Sequence, residues 1–197
     1  MQCMNNKLVL TSYGLTTEVG RKLIRKELAN YDLSNKSIFL FYEPHYSIGK
    51  ILLDVCCEFG FKKENIILSG HNDDFSKIVQ CDFYYCTEGN TFEVLSFMRE
   101  KNVDKAICKG FEYGNKVYIG ASAGAAIAGI NIEEIKDFDR NSVGMEEFSG
   151  LGLFDGIIIP HYTKAELKRY INNTPGIENK YKKIISVSNN RCVVLEI

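Results

Sequence analysis

No excess of charge marks this chain: 24 basic residues against 25 acidic ones leave a formal net charge of -1. That balance gives nucleic acid or an anionic membrane no electrostatic hold, so neither is expected as a partner. No stretch is apolar for long enough to cross a bilayer, and the N-terminus has neither the basic region nor the apolar core of a secretory signal. A soluble, cytoplasmic protein is the expectation. The seven cysteines (Cys3, Cys56, Cys57, Cys81, Cys86, Cys108 and Cys192) include no C-x-x-C pair and lie mostly in apolar runs. They read as reduced, buried thiols. Histidine is scarce as well: His45, His71 and His161 are the only three, and they are scattered. Without ligand spacing among His and Cys, no metal site is expected, and no cofactor is called for. Repeats, low-complexity segments and linkers are all missing. Residues 1–197 are therefore expected to form one domain, whose 45% apolar and 12% aromatic content can fill a core.

What is present is a regular alternation of short apolar runs with amphipathic stretches, the pattern of parallel strands joined by crossover helices. It predicts an α/β fold, a mostly parallel sheet flanked by helices. Strands are expected at 7–11, 37–42, 65–68, 83–86, 116–119, 156–159, 184–187 and 192–196. Helices are expected at 17–29, 47–59 and 91–101, where apolar residues such as Val19, Leu23, Ile24 and Leu28 recur at helical spacing. The last two strands, separated by Ser188-Asn189-Asn190-Arg191, read as a hairpin closing the chain. Residues 131–152 form the longest stretch without periodicity, and loops of that length in a compact domain tend to carry function.

The most informative segment is Gly120-Ala121-Ser122-Ala123-Gly124. It stands between the strand-like run Val117-Tyr118-Ile119 and the helix-like run Ala125-Ala126-Ile127-Ala128. A serine on a tight strand-to-helix turn needs small neighbours and is presented at a helix N-terminus, the setting of a nucleophile elbow. Ser122 is thus the candidate nucleophile. A serine needs a base, and His161 follows the apolar run 156–159 and Pro160, at the strand edge where α/β proteins place their sites. His45 and His71 also follow strands and read as loop histidines making local hydrogen bonds. For the group that orients the imidazole, the stretch between Ser122 and His161 offers Glu133, Glu134, Asp137, Asp139, Glu146 and Glu147, and residue type alone does not choose among them. Oxyanion donors are expected from the amide of Ala123 and from the turn Thr87-Glu88-Gly89-Asn90-Thr91-Phe92, with Gly89 allowing close approach. Asn90 is a further substrate-binding candidate there, and either it or Thr91 would cap the following helix.

Taken together, Glu88-Gly89-Asn90-Thr91-Phe92, the 118–125 segment, Leu151-Gly152-Leu153 and Pro160-His161-Tyr162 resemble the aspartyl dipeptidase (dipeptidase E) and cyanophycinase family of serine peptidases. The resemblance runs over roughly residues 7 to 195. It implies a three-layer α/β/α fold similar to class I glutamine amidotransferases, with serine in place of their cysteine. It implies Ser122 as nucleophile and His161 as general base, and it points to Asp137 as the acid, with Asp139 in reserve. The implied substrate is a small peptide, an N-terminal aspartyl dipeptide being the family example. Two departures stand out. Glu88 occupies a position where the family has glycine, and a carboxylate there would repel an oxyanion if it faced the pocket but not if it faced solvent. The chain also ends soon after its last strands, earlier than aspartyl dipeptidases do. For an acidic substrate Lys164, Lys168 and Arg169 on the helix-like run after His161 could supply a cation, but a solvated basic helix face is the favoured reading and none is taken as a site. A homodimer is compatible with the sequence. Two other readings share part of the pattern: a small-ligand binding module that keeps the fold without turnover, and an α/β-hydrolase esterase, for which residues 41–45 lack the His-Gly-Gly loop.

Overall fold

The computed structural model describes residues 5–42, 47–70 and 74–197. His45 and His71 lie outside the described residues. Strands β1 (Lys7–Thr11), β2 (Ile38–Phe41), β3 (Ile66–Leu68), β4 (Phe83–Cys86), β5 (Val117–Ala121) and β8 (Val193–Glu196) form one sheet in the order β3-β2-β4-β5-β1-β8. Its pairings are parallel except β1 with β8. Strands β6 (Ile157–Pro160) and β7 (Ile184–Val187) pair in parallel beside it.

Side chains on successive strand residues point to opposite faces, and here both faces are apolar. Leu8, Leu10, Phe39, Phe41, Tyr84 and Tyr118 enter one core; their neighbours Val9, Ile38, Leu40, Phe83, Tyr85 and Ile119 enter the other. Helices α1 (Glu18–Leu28) and α2 (Gly49–Phe59) cover the second face with Ile24, Leu28, Leu52 and Val55. Helices α3 (Phe75–Gln80), α4 (Thr91–Glu100), α5 (Val103–Glu112) and α6 (Ala123–Ile127) cover the first. The result is the expected three-layer α/β/α arrangement, mostly parallel because crossover helices bury both faces of the sheet. Helices α7 (Lys164–Asn173) and α8 (Ile177–Lys180) complete the chain. Among the described residues no helix is long and apolar enough to cross a membrane.

Three expectations need correction. The closing hairpin does not form: β7 pairs with β6, whereas β8 crosses to pair antiparallel with β1. An isolated two-stranded hairpin is marginal, and β8 gains more by covering the otherwise open edge of β1. The stretch 131–152 is not featureless, since a short 3-10 helix spans Glu133–Asp137 and bridges join Asn131 to Ser149 and Gly129 to Phe154. The thiols are not uniformly buried either. Cys57 is exposed, although burial pushes the Cys56 and Cys192 thiols up to about 12 and Cys81 up to about 11.

Candidate active site

Ser122 sits between the end of β5 and the start of α6 with φ 48° and ψ -106°. A non-glycine residue in such a conformation costs on the order of 1–3 kcal/mol and persists only where its surroundings dictate it. Here they do. Its N–H donates to Thr11 O on β1 (2.9 Å), and its carbonyl accepts from Ala126 N (3.0 Å). Two residues on, Gly124 N donates to Thr87 O (3.1 Å) and Gly124 O accepts from the buried Tyr118 hydroxyl (2.8 Å). The flanking glycines are required by contact: a Cβ on Gly120 would lie 2.6 Å from Gly124 O, and one on Gly124 would lie 2.3 Å from Cys86 O.

Those obstacles are backbone atoms that cannot swing aside, so Gly124→Ala reverses the usual helical preference for alanine over glycine. The expected loss is about 1–3 kcal/mol, a fall in Tm of several degrees for a chain of this size. An unchanged melting temperature by scanning fluorimetry would contradict the packing described here.

His161 follows Pro160 at the end of β6, also at positive φ, 64°. Its N–H donates to Ser12 Oγ (2.9 Å), whose own hydroxyl donates to Val187 O (2.6 Å). The buried Ser12 thereby ties the ends of β1, β6 and β7 together, and Tyr13 packs edge-on against the imidazole with centroids 5.8 Å apart. In this position His161 Nε2 lies 2.8 Å from Ser122 Oγ. Sequence reasoning singled out neither Ser12 nor Tyr13; their place directly after β1, at the same strand edge as Ser122, was the available signal.

On the far side of the ring, His161 Nδ1 is 2.8 Å from Asn189 Oδ1. An amide oxygen there accepts the Nδ1–H, which leaves Nε2 unprotonated and able to accept the serine proton. Asn189 belongs to the polar turn after β7, where Arg191 N donates to Ser188 O (3.2 Å). No sequence pattern marked it, because a third member set by a turn between two different sheets has no spacing rule.

The structure does not bring Asp137 to this group. The 3-10 helix carries it toward α7, where its Oδ2 accepts from the Tyr170 hydroxyl at 2.8 Å, and burial together with that carboxylate pushes the phenol up. Asp139 lies elsewhere too, its Oδ2 accepting the Thr91 N–H (2.8 Å) and hydroxyl (2.7 Å) at the start of α4. Glu133 and Glu134 pair with Lys180, Glu147 pairs with Arg99, and Glu146 is exposed.

Ala123 heads α6, and the first N–H of a helix has no intrahelical acceptor, so this amide is a donor beside Ser122. Gly89 stands at φ 148°, a conformation that favours glycine, in the turn after β4. Asn90 is spent on structure: its Oδ1 caps α4 by accepting from Phe92 N and Glu93 N, and its Nδ2 donates to Arg140 O (2.9 Å). Glu88 takes neither orientation considered from sequence. Its carboxylate turns toward the segment between β1 and α1, where it accepts from the Thr16 hydroxyl, and at 3.3 Å it also accepts from the Tyr85 hydroxyl of β4. It packs over Gly14, whose missing Cβ leaves room for it. Lys164, Lys168 and Arg169 are exposed. Among the described residues, no group of three or more His, Cys, Asp or Glu side chains is arranged to hold a metal ion.

Comparison with known proteins bears on the fold and the family. The chain is 33% identical over 125 residues to an uncharacterised peptidase of Listeria monocytogenes, an alignment covering 61% of this chain and 59% of the relative. It is 34% identical over 107 residues to peptidase E of Shewanella amazonensis, covering 53% and 44%. The alignments therefore span about half the length of the curated relatives. Among solved structures, a candidate peptidase E from Listeria monocytogenes EGD-e superposes with a TM-score of 0.67 at 23% identity, covering 98% of this chain and 95% of the other. A peptidase from an acI-B1 actinobacterium gives 0.64 at 14% identity, covering 98% and 84%. Both likenesses speak to the fold. The family described as peptidase family S51 matches residues 58–196, a stretch holding the elbow serine, the histidine and the asparagine behind it, and to that family this chain belongs.

Proposed function

We propose that this chain is a serine peptidase that hydrolyses short peptides through Ser122, His161 and Asn189, without a cofactor. The observation that carries this reading is the Ser122 Oγ to His161 Nε2 distance of 2.8 Å with Asn189 Oδ1 seated on Nδ1. Ser122 Oγ attacks the scissile carbonyl as its proton passes to Nε2. The carbonyl oxygen becomes an oxyanion, held by the Ala123 amide and by the Gly89 amide across the turn after β4. The imidazolium then gives its proton to the leaving amine, and a water repeats the sequence to release the acyl group. Asn189 keeps the ring in the productive tautomer but, being neutral, stabilises the imidazolium less than a carboxylate would. Papain-like proteases use asparagine in the same position of a Cys-His-Asn set. An N-terminal aspartyl dipeptide is one substrate within this class, and the free thiols suit the reducing cytoplasm.

A fluorophosphonate probe tests the reading together with a dipeptide panel followed by mass spectrometry. Labelling at Ser122 and cleavage of at least some dipeptides are expected. Folded protein that neither labels nor cleaves from neutral to mildly alkaline pH would instead favour a ligand-binding module.

A further inference from the structure

Strand β5, which carries the elbow, lies between β4 and β1 in the sheet. Backbone bonds tie the elbow to both neighbours, to Thr11 O at the end of β1 and to Thr87 O after β4. Glu88 joins those neighbours to each other. Its Oε1 accepts from the Thr16 hydroxyl, so the side chain reaches past the end of β5, from the turn after β4 to the segment after β1. Its Oε2 accepts from the Tyr85 hydroxyl (3.3 Å), and the Tyr85 oxygen in turn accepts the Leu15 N–H (3.0 Å). Tyr85 is fully buried, and burial followed by the charge of Glu88 pushes its phenol well above the usual range, so it stays a donor. The space is shaped for this arrangement: a Cβ on Gly14 would overlap both the Glu88 carboxylate and the Tyr85 hydroxyl.

Both segments that Glu88 joins serve the site. The one after β1 begins with Ser12, which holds the His161 backbone, and Tyr13, which packs on the imidazole. The turn after β4 carries Gly89, whose N–H belongs to the peptide unit that Glu88 begins. The tilt of that unit is set by ψ of residue 88 and φ of residue 89. Glycine leaves the second angle soft, so the first must be held by the side chain of residue 88. A glycine at 88, which the family resemblance calls for, would leave both angles free. A carboxylate gripped by two hydroxyls removes that freedom, since hydrogen bonds to a charged acceptor are about twice as strong as neutral ones. An oxyanion donor acts best when it is in place beforehand, and a misplacement of about 1 Å can cost about 100-fold in rate. We infer that Glu88 is a positioning residue: bonded to Thr16 and Tyr85, it fixes the turn after β4 so that the Gly89 amide is aimed before substrate arrives. The inference rests on the peptidase reading above.

Two variants break this latch in different ways. Glu88→Ala removes the carboxylate, and Thr16→Val keeps the shape of residue 16 without its hydroxyl. Each is expected to lower kcat about 10- to 100-fold with KM within about twofold of the parent, and to slow the rate constant for fluorophosphonate labelling of Ser122 in proportion. A rate constant, unlike the amount labelled, does not change with the fraction of protein folded. Glu88→Gln keeps an acceptor for Thr16 and should hold kcat within about fivefold of the parent. Glu88→Ala combined with Thr16→Val should cost no more than the larger single change, because both remove one shared interaction. Hydrogen exchange over residues 86–92, followed by mass spectrometry, reads the turn without turnover and should quicken in both single variants. Unchanged exchange overturns the inference, and so does an active enzyme whose kcat and labelling constant survive both substitutions. A lowered yield at the parent's labelling constant would make Glu88 merely structural and overturns it as well. Parent protein that neither labels nor cleaves, with exchange that still responds, keeps the latch as the holder of the turn and removes the peptidase reading.

Discussion

Ser122→Ala is expected to lower kcat by about 10⁵-fold or more while leaving the melting temperature within a degree or so of the parent. Loss of the attacking oxygen removes covalent catalysis outright, and only substrate binding and the oxyanion donors remain to act on an adventitious water. The fold should not notice. Alanine carries the same Cβ into the φ 48° conformation, and no described hydrogen bond that holds the elbow uses the serine hydroxyl; they run through Thr11 O, Thr87 O and the backbone of α6. Steady-state kinetics paired with thermal unfolding separates the two effects. A variant that loses activity only by unfolding would show the serine to be structural, and one retaining more than a few per cent activity would remove it from the mechanism.

The second large effect concerns the group behind the imidazole. Asn189→Ala should cut kcat by roughly 10²- to 10⁴-fold, because nothing then holds the proton on Nδ1 and the ring can present the wrong nitrogen to Ser122. Asn189→Asp should behave differently. A carboxylate there favours the protonated imidazole, so the acid limb of the pH–rate profile moves to higher pH. Asp137→Asn should leave kcat within about twofold of the parent, since Asp137 is engaged with Tyr170 on α7 rather than with His161. Kinetics on the three variants decides between the acid implied by family resemblance and the asparagine seen at the ring. Inactivation by Asp137→Asn with Asn189→Ala active would mean that the loop rearranges to deliver Asp137 in the working enzyme.

Glu88 shows how far a single sequence could be pushed. Its presence beside the oxyanion turn was visible, and so was the threat of repulsion. Its harmlessness depends on Thr16, Tyr85 and Gly14, none of them close enough in sequence to suggest a partnership, except that Tyr85 shares its strand end. Asn90 makes the converse point. Its helix-capping role followed from residue type and position, and once the cap is made its side chain has no acceptor left for a substrate.

The sequence by itself determined the strand alternation, the elbow at Ser122 and the arrival of His161 at the same edge of the fold. These are written locally, in side-chain periodicity, in small residues where backbones touch, and in a polar residue placed directly after an apolar run. Tertiary structure alone decided the partner of β8, the anchoring of His161 by Ser12 and the choice of Asn189 over six carboxylates for the imidazole. Each of those depends on which strand edge or loop end lies free in three dimensions once the sheet has assembled. Such contacts join residues far apart in the chain, and no local periodicity records them.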